Sequence, residues 1–175
     1  MGDSMSSLTI LGDTSGSVLL QAPAVSGSTA ITIAAQSGTL NVGGPAFSAT
    51  QTSAQTLPSN ANAKLEFQTK EFDTANCYNN STYRFTPNVA GYYQVNISAG
   101  GWASGSYAQL WVWKNGGQFK AVSIISGAVQ VNGTALIYLN GTTDYIEGYI
   151  YIQSGQSTGG SSTQTYFQAY LARTA

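Results

Sequence analysis

Residues 144–153, DYIEGYIYIQ, constrain the fold more than any other stretch. Their side chains alternate with a period of two, which belongs to a β-strand and not to a helix. Ile146, Ile150 and Ile152 share one face with Gly148, while Tyr145, Tyr149 and Tyr151 share the other with Glu147. A half-exposed strand ordinarily sets apolar residues against charged or small polar ones. Here the second face is aromatic. The last strand-like segment repeats the pattern, with Phe167, Ala169 and Leu171 against Tyr166, Gln168 and Tyr170. One face can fill the inside of a sandwich, and the other needs a second partner.

The same alternation runs through the chain, and no segment shows helical periodicity. Strands are expected at 46–52, 64–73, 83–86, 91–100, 107–114, 119–125, 129–139, 144–153 and 164–172. Pro87 stops the third of these because it lacks the donor a central strand needs. Asn115-Gly116-Gly117 and Asn140-Gly141 read as turns, since Asn and Gly tolerate positive φ. This set of strands predicts an all-β antiparallel sandwich of the jelly-roll type.

Before residue 45 the texture differs. All 3 Trp, 11 Tyr and 6 Phe lie beyond Pro45. Ahead of it come apolar pairs at strand spacing: Leu8 with Ile10, Val18 with Leu20, Ile31 with Ile33, and Leu40 with Val42. One copy of such a segment buries too little apolar area to offset an ordering cost of roughly 1–2 kcal/mol per residue. The regular spacing predicts a slender β stem wound with copies of itself; a flexible Ser/Gly-rich tether is the alternative. The expected domains are therefore a stem at 1–44, serving anchoring and trimerisation, and a head at 45–175.

Composition excludes several functions. Charged residues are 7% of the 175 residues, against about 25% in an average soluble domain, so Ser, Thr, Asn, Gln and Gly must keep the surface wet. The 6 basic residues are scattered, which argues against nucleic-acid binding. No apolar run approaches the length of a membrane span, so no membrane insertion is expected. Residues 1–30 show no signal-peptide core. Cys77 is alone, cannot form a disulfide within the chain, and reads as a buried small residue. There is no His, so no Ser-His-Asp or Cys-His set can form, and one Cys cannot build a structural zinc site. Glu71 with Asp73, or Asp144 with Glu147, could approach as a carboxylate pair, but neither has a surrounding motif of a glycosidase. No catalytic residue, metal or cofactor is expected.

The stretch YRFTPNVAGYYQVNISAGGW at 83–102 resembles the conserved segment of the complement C1q globular-head family, one of the tumour-necrosis-factor-like jelly rolls. Phe85, Thr86, Pro87, Ala90, Gly91, Tyr92 and Tyr93 carry the match, with a small spacing difference at Pro87. PAFSA at 45–49, LEFQTKEFDTANCYNN at 65–80, LWVWKNG at 110–116, ALIYLNGTTDYIEGYI at 135–150 and TYFQAYLA at 165–172 resemble further family segments in the same order. Thr142-Thr143 is an insertion, and Ala169 stands where the family has Gly. The resemblance spans 45–175 and implies a homotrimer with one sheet packed about the axis. Tyr149, Tyr151, Tyr166 and Tyr170 would together form an apolar patch larger than monomers expose. With Tyr92, they are the expected trimer interface.

Residues 12–42 resemble segments of bacteriophage tail fibres and other virion proteins, and the collagen repeat that carries animal C1q heads is absent. Together these imply a non-enzymatic homotrimeric virion protein, a short fibre or capsid decoration. It would assemble in the host cytoplasm and reside on the extracellular particle. Residues 1–44 would join other capsid or tail proteins, and the head would stabilise the particle or touch a host surface glycan. Trp102, Tyr107 and Trp113 are the candidates for surface recognition, although Trp113 could equally serve the core or the trimer. The alternative is a secreted C1q-like head that binds glycans or proteins.

Overall fold

The computed structural model describes residues 7–11, 17–21, 43–103 and 105–175. The chain divides into two compact units, Met1–Gly38 and Thr39–Ala175. In the first, β1 (Ser7–Leu11) and β2 (Ser17–Gln21) pair antiparallel, with Leu8 across from Leu20 and Ile10 across from Val18. The apolar pairs expected at Ile31 with Ile33 and at Leu40 with Val42 lie outside the described residues.

The second unit holds β3 (Ala46–Thr50), β4 (Thr56–Leu57), β5 (Ala61–Lys64), β6 (Thr69–Asp73), β7 (Tyr78–Asn79), β8 (Arg84–Phe85), β9 (Gly91–Gly100) and β10 (Ser106–Lys114). It continues with β11 (Gly117–Ala128), β12 (Gln130–Leu139), β13 (Ile146–Ile152), β14 (Gln156–Ser157) and β15 (Tyr166–Thr174). No helix occurs among the described residues. A five-stranded sheet runs β12-β9-β15-β3-β6. It faces a six-stranded sheet running β11-β10-β13-β8-β7, in which β5 also pairs with β13. All pairings are antiparallel, and the fold is a jelly-roll sandwich.

Alternation decides what fills the sandwich. Tyr93, Val95 and Ile97 point inward from β9, and Leu110 and Val112 from β10; all are buried, as are Ile146, Ile150 and Ile152 of β13. At the centre Phe47 stacks on Phe85, with ring centroids 4.4 Å apart, and on Tyr78 at 4.8 Å, and it meets Phe167 edge-on at 5.1 Å. Each such pair adds about 0.5–1.5 kcal/mol beyond its area burial. Gly148 is the gap in the isoleucine row for a reason: an added Cβ would stand 2.5 Å from Ile97 Cδ1 and 3.0 Å from Phe67 Cε2. The two sheets approach too closely there for any side chain. Asn115 (φ 52°) and Gly116 (φ 81°) make the expected tight turn between β10 and β11.

Two expected strands are corrected. Residues 64–73 do not form one strand. The chain leaves β5 in one sheet and enters β6 in the other, so 65–68 cross between the sheets with Leu65 and Phe67 buried. Leu65 N–H still donates to Gly148 O of β13 at 2.9 Å, and beyond it side chains take over the hydrogen bonds a ladder would have made. Glu66 N–H donates to Gln55 Oε1 (3.1 Å), while Gln55 Nε2 donates to Lys64 O (2.7 Å) and Gln51 Nε2 to Glu66 O (3.2 Å). The strand expected at 83–86 shrinks to β8, which meets β13 only at Phe85 and Ile146.

Candidate functional site

The head has two outward sheet faces, and both are aromatic. On the five-stranded sheet, register brings Tyr138 of β12 across from Tyr92 of β9, and Leu136 across from Gln94, which in turn faces Tyr170 of β15. These residues keep large exposures: Tyr92 43%, Tyr138 43%, Tyr170 50% and Leu136 57%. Tyr92 and Tyr138 touch each other at 5.6 Å between centroids. The zone turns the corner of the sandwich. Lys114 Nζ lies 5.8 Å from the Tyr138 ring and 5.7 Å from the ring of exposed Phe119 on β11. Ile124 and Ile125 of β11 and Val129 just beyond it are also exposed. Away from this end the face turns polar, with Asn96 of β9 beside Gln168 of β15, whose Nε2 donates to Ser48 Oγ of β3 at 3.0 Å.

The six-stranded face is built differently. Trp111 and Trp113 of β10 lie across from Tyr149 and Glu147 of β13, and Lys64 of β5 continues the row beyond Tyr149. Trp113 stacks on Tyr149 at 3.7 Å and 10°, and Tyr107 meets Tyr151 edge-on at 6.3 Å. Gln109 Nε2 donates to Tyr107 Oη (2.6 Å), Trp111 Nε1 donates to Gln109 Oε1 (3.2 Å), and Tyr151 Oη donates to Asn60 Oδ1 (3.1 Å). Glu147 is 1% exposed although it points outward, because Lys64 Nζ (2.6 Å) and Arg84 Nε (2.9 Å) cover Oε1. The Arg84 guanidinium lies 4.2 Å over the Tyr145 ring. Burial, and then the Glu147 charge, push the Tyr149 hydroxyl above its ordinary pKa.

These placements correct the expected interface. Tyr149 and Tyr151 ride on β13 of the six-stranded sheet, whereas Tyr92, Tyr166 and Tyr170 ride on β9 and β15 of the five-stranded sheet. The two sets point away from each other, so one flat surface cannot hold them all. Alternation assigns a side of a strand but not the sheet the strand joins, so two outward faces look like one in the sequence. Trp102 is a second correction. It is buried, with Nε1 donating to Ala128 O at 2.6 Å, and cannot meet a ligand at a loop tip. Tyr107 and Trp113 are half-buried on the six-stranded face.

Asp144 and Asp73 each tie down loop backbone. Asp144 takes Lys114 Nζ (2.8 Å), Asn115 Nδ2 (2.8 Å) and the Asn140 N–H (3.1 Å), tying both turns to one point. Burial alone would raise its pKa, but the hydrogen bonds from Asn115 and Lys114 outweigh it and hold the carboxyl below its ordinary value. Asp73 caps the N–H groups of Cys77 and Tyr78, both at 2.9 Å. Cys77 is buried, and burial raises its thiol pKa. Among the described residues no group of three or more His, Cys, Asp and Glu could hold a metal ion.

No protein-family model matches the chain, and no curated protein matches it either. Solved structures do. The globular domain of zebrafish complement 1qA aligns with a TM-score of 0.57 at 16% identity, covering 75% of this chain and 99% of that one. Eiger TNF from S. frugiperda gives 0.58 at 9% identity, covering 76% and 95%, and murine APRIL gives 0.51 at 10%, covering 73% and 98%. The head thus has the jelly-roll fold of C1q and TNF domains, as the segments at 45–175 implied.

Proposed function

We propose that this chain is a non-enzymatic virion structural subunit of a bacteriophage that works as a homotrimer. Its head faces outward, and residues 1–44 join it to capsid or tail proteins. The observation that carries the trimer is the apolar zone of Tyr92, Leu136, Tyr138 and Tyr170, continued by Phe119 around the flank. Burying each of these half-exposed side chains gains of order 1 kcal/mol. Face and flank are different surfaces, so the flank of one copy can seat on the face of the next. Such head-to-tail contacts close into a ring. A ring of three is what the resemblance to C1q heads implies.

The virion role rests on the fibre-like segment at 12–42 and on the scarcity of charge. An extracellular surface carried by amides and hydroxyls depends little on salt. The lack of any His in the chain supports a structural reading over an enzymatic one. A secreted C1q-like recognition head is the second reading, favoured by the cationic and aromatic cluster on the six-stranded face. Removing residues 1–44 separates the two. A virion subunit lacking them should still assemble as three chains and drop out of purified particles. Unchanged particle content would refute the anchoring role.

A further inference from the structure

Arg84 is held on one side and open on the other. Its Nε is bound to Glu147 Oε1 and its plane lies over the Tyr145 ring, so the guanidinium has one fixed orientation. Its two Nη groups make no hydrogen bond within the described residues, and its side chain is 39% exposed. Lys64, 29% exposed, gives N–H groups to Glu147 Oε1 and to Thr82 O (3.3 Å), which leaves one donor over. Two cations therefore share one carboxylate, and the cluster carries a spare positive charge. The hydroxyls of Tyr145 and Tyr149 also have no hydrogen-bond partner within the described residues; the Tyr145 ring lies under Arg84, and Tyr149 follows Glu147 by two residues on the same face of β13.

A fixed guanidinium edge fits a carboxylate bidentately. A single spare charge matches one carboxylate better than a phosphate monoester. The surrounding donors are phenol hydroxyls and, further along the same face, the amide of Gln109 and the Asn60 side chain that holds Tyr151. These suit the hydroxyls of a sugar ring, and the rings of Trp113 and Tyr149 offer apolar edges to its C–H groups.

We propose that the cluster of Arg84, Lys64, Tyr145 and Tyr149 binds an acidic sugar, its carboxylate on the Arg84 fork. This inference deepens the host-contact part of the reading above and rests on it in one respect: in the trimer the five-stranded face is covered and the six-stranded face stays open.

The test is calorimetry on the full chain at low salt, with trigalacturonate and its methyl ester as probes. The two differ only in their carboxylates. The acid should bind and the ester should bind at least about tenfold more weakly. Arg84→Gln should remove that difference. Tyr149→Phe, which keeps the stack on Trp113, should weaken the acid about threefold. Equal binding of acid and ester, no binding of either at millimolar concentration, or equally tight binding of an oligoglutamate peptide would overturn the proposal. Sedimentation of the same samples reads assembly separately, so a failed trimer is not mistaken for a failed site.

Discussion

On the six-stranded sheet the outward rings have partners inside the chain. Trp113 lies against Tyr149, Tyr107 against Tyr151, and Tyr145 under Arg84. On the five-stranded sheet Tyr92 and Tyr138 touch each other, with Lys114 at the edge of the Tyr138 ring, and Tyr170 and Leu136 stand in water. The two faces have similar residues and different needs. Stacking and cation–π contacts give the rings of the first their partners within one molecule. In the proposed trimer the second is completed by another molecule. Aromatic content alone therefore does not mark an interface.

The comparison can be broken most severely at the five-stranded face. Placing charge there, as Leu136→Lys with Tyr170→Lys, should weaken assembly at least about a hundredfold. The thermal unfolding of the isolated subunit should change little. Sedimentation against concentration, with circular dichroism on the same samples, checks both halves.

The matching change on the other face should do the reverse. Trp113→Ala removes the stack on Tyr149 and opens a half-buried gap, costing about 2–3 kcal/mol of folding stability. The assembled mass should stay as it was. Urea unfolding and sedimentation distinguish this from an interface effect.

A smaller effect sharpens the role of the turns that frame β13. Burial opposes ionisation of Asp144, and the hydrogen bonds from Asn115 and Lys114 overcome it, so the folded pKa lies below the ordinary 3.8. The unfolded chain then takes up the proton first as pH falls. The stabilisation is present above the ordinary value and is lost as pH drops through the folded one. Asp144→Asn should cost about 1 kcal/mol at pH 7. The gap to the natural chain should close below about pH 4. Urea midpoints measured across that range check the direction.

Much of the fold was legible because alternation is a local property. The strand at 91–100 was read to the residue as β9, and the isoleucine row of β13 points inward as expected. The crossing at 65–68 was not legible, because Leu65 and Phe67 keep the alternation of a strand while the chain changes sheets. Part of its hydrogen bonding comes from Gln51 and Gln55, residues with no local reason to be noticed. Trp102 misled for a related cause: a Trp after Gly-Gly reads as a loop tip until the fold places Ala128 O beside its indole. Arg84, Lys64 and Glu147 were invisible as a group, since residues 64, 84 and 147 meet only through the pairing of β5 and β8 with β13.

The five-stranded face is either an unfinished surface or an ordinary one, and the mass of the full chain in solution decides. Light scattering at micromolar concentration should return three chain masses of 18.3 kDa each. A single chain mass, with Tyr92, Leu136, Tyr138 and Tyr170 left in water, would contradict it.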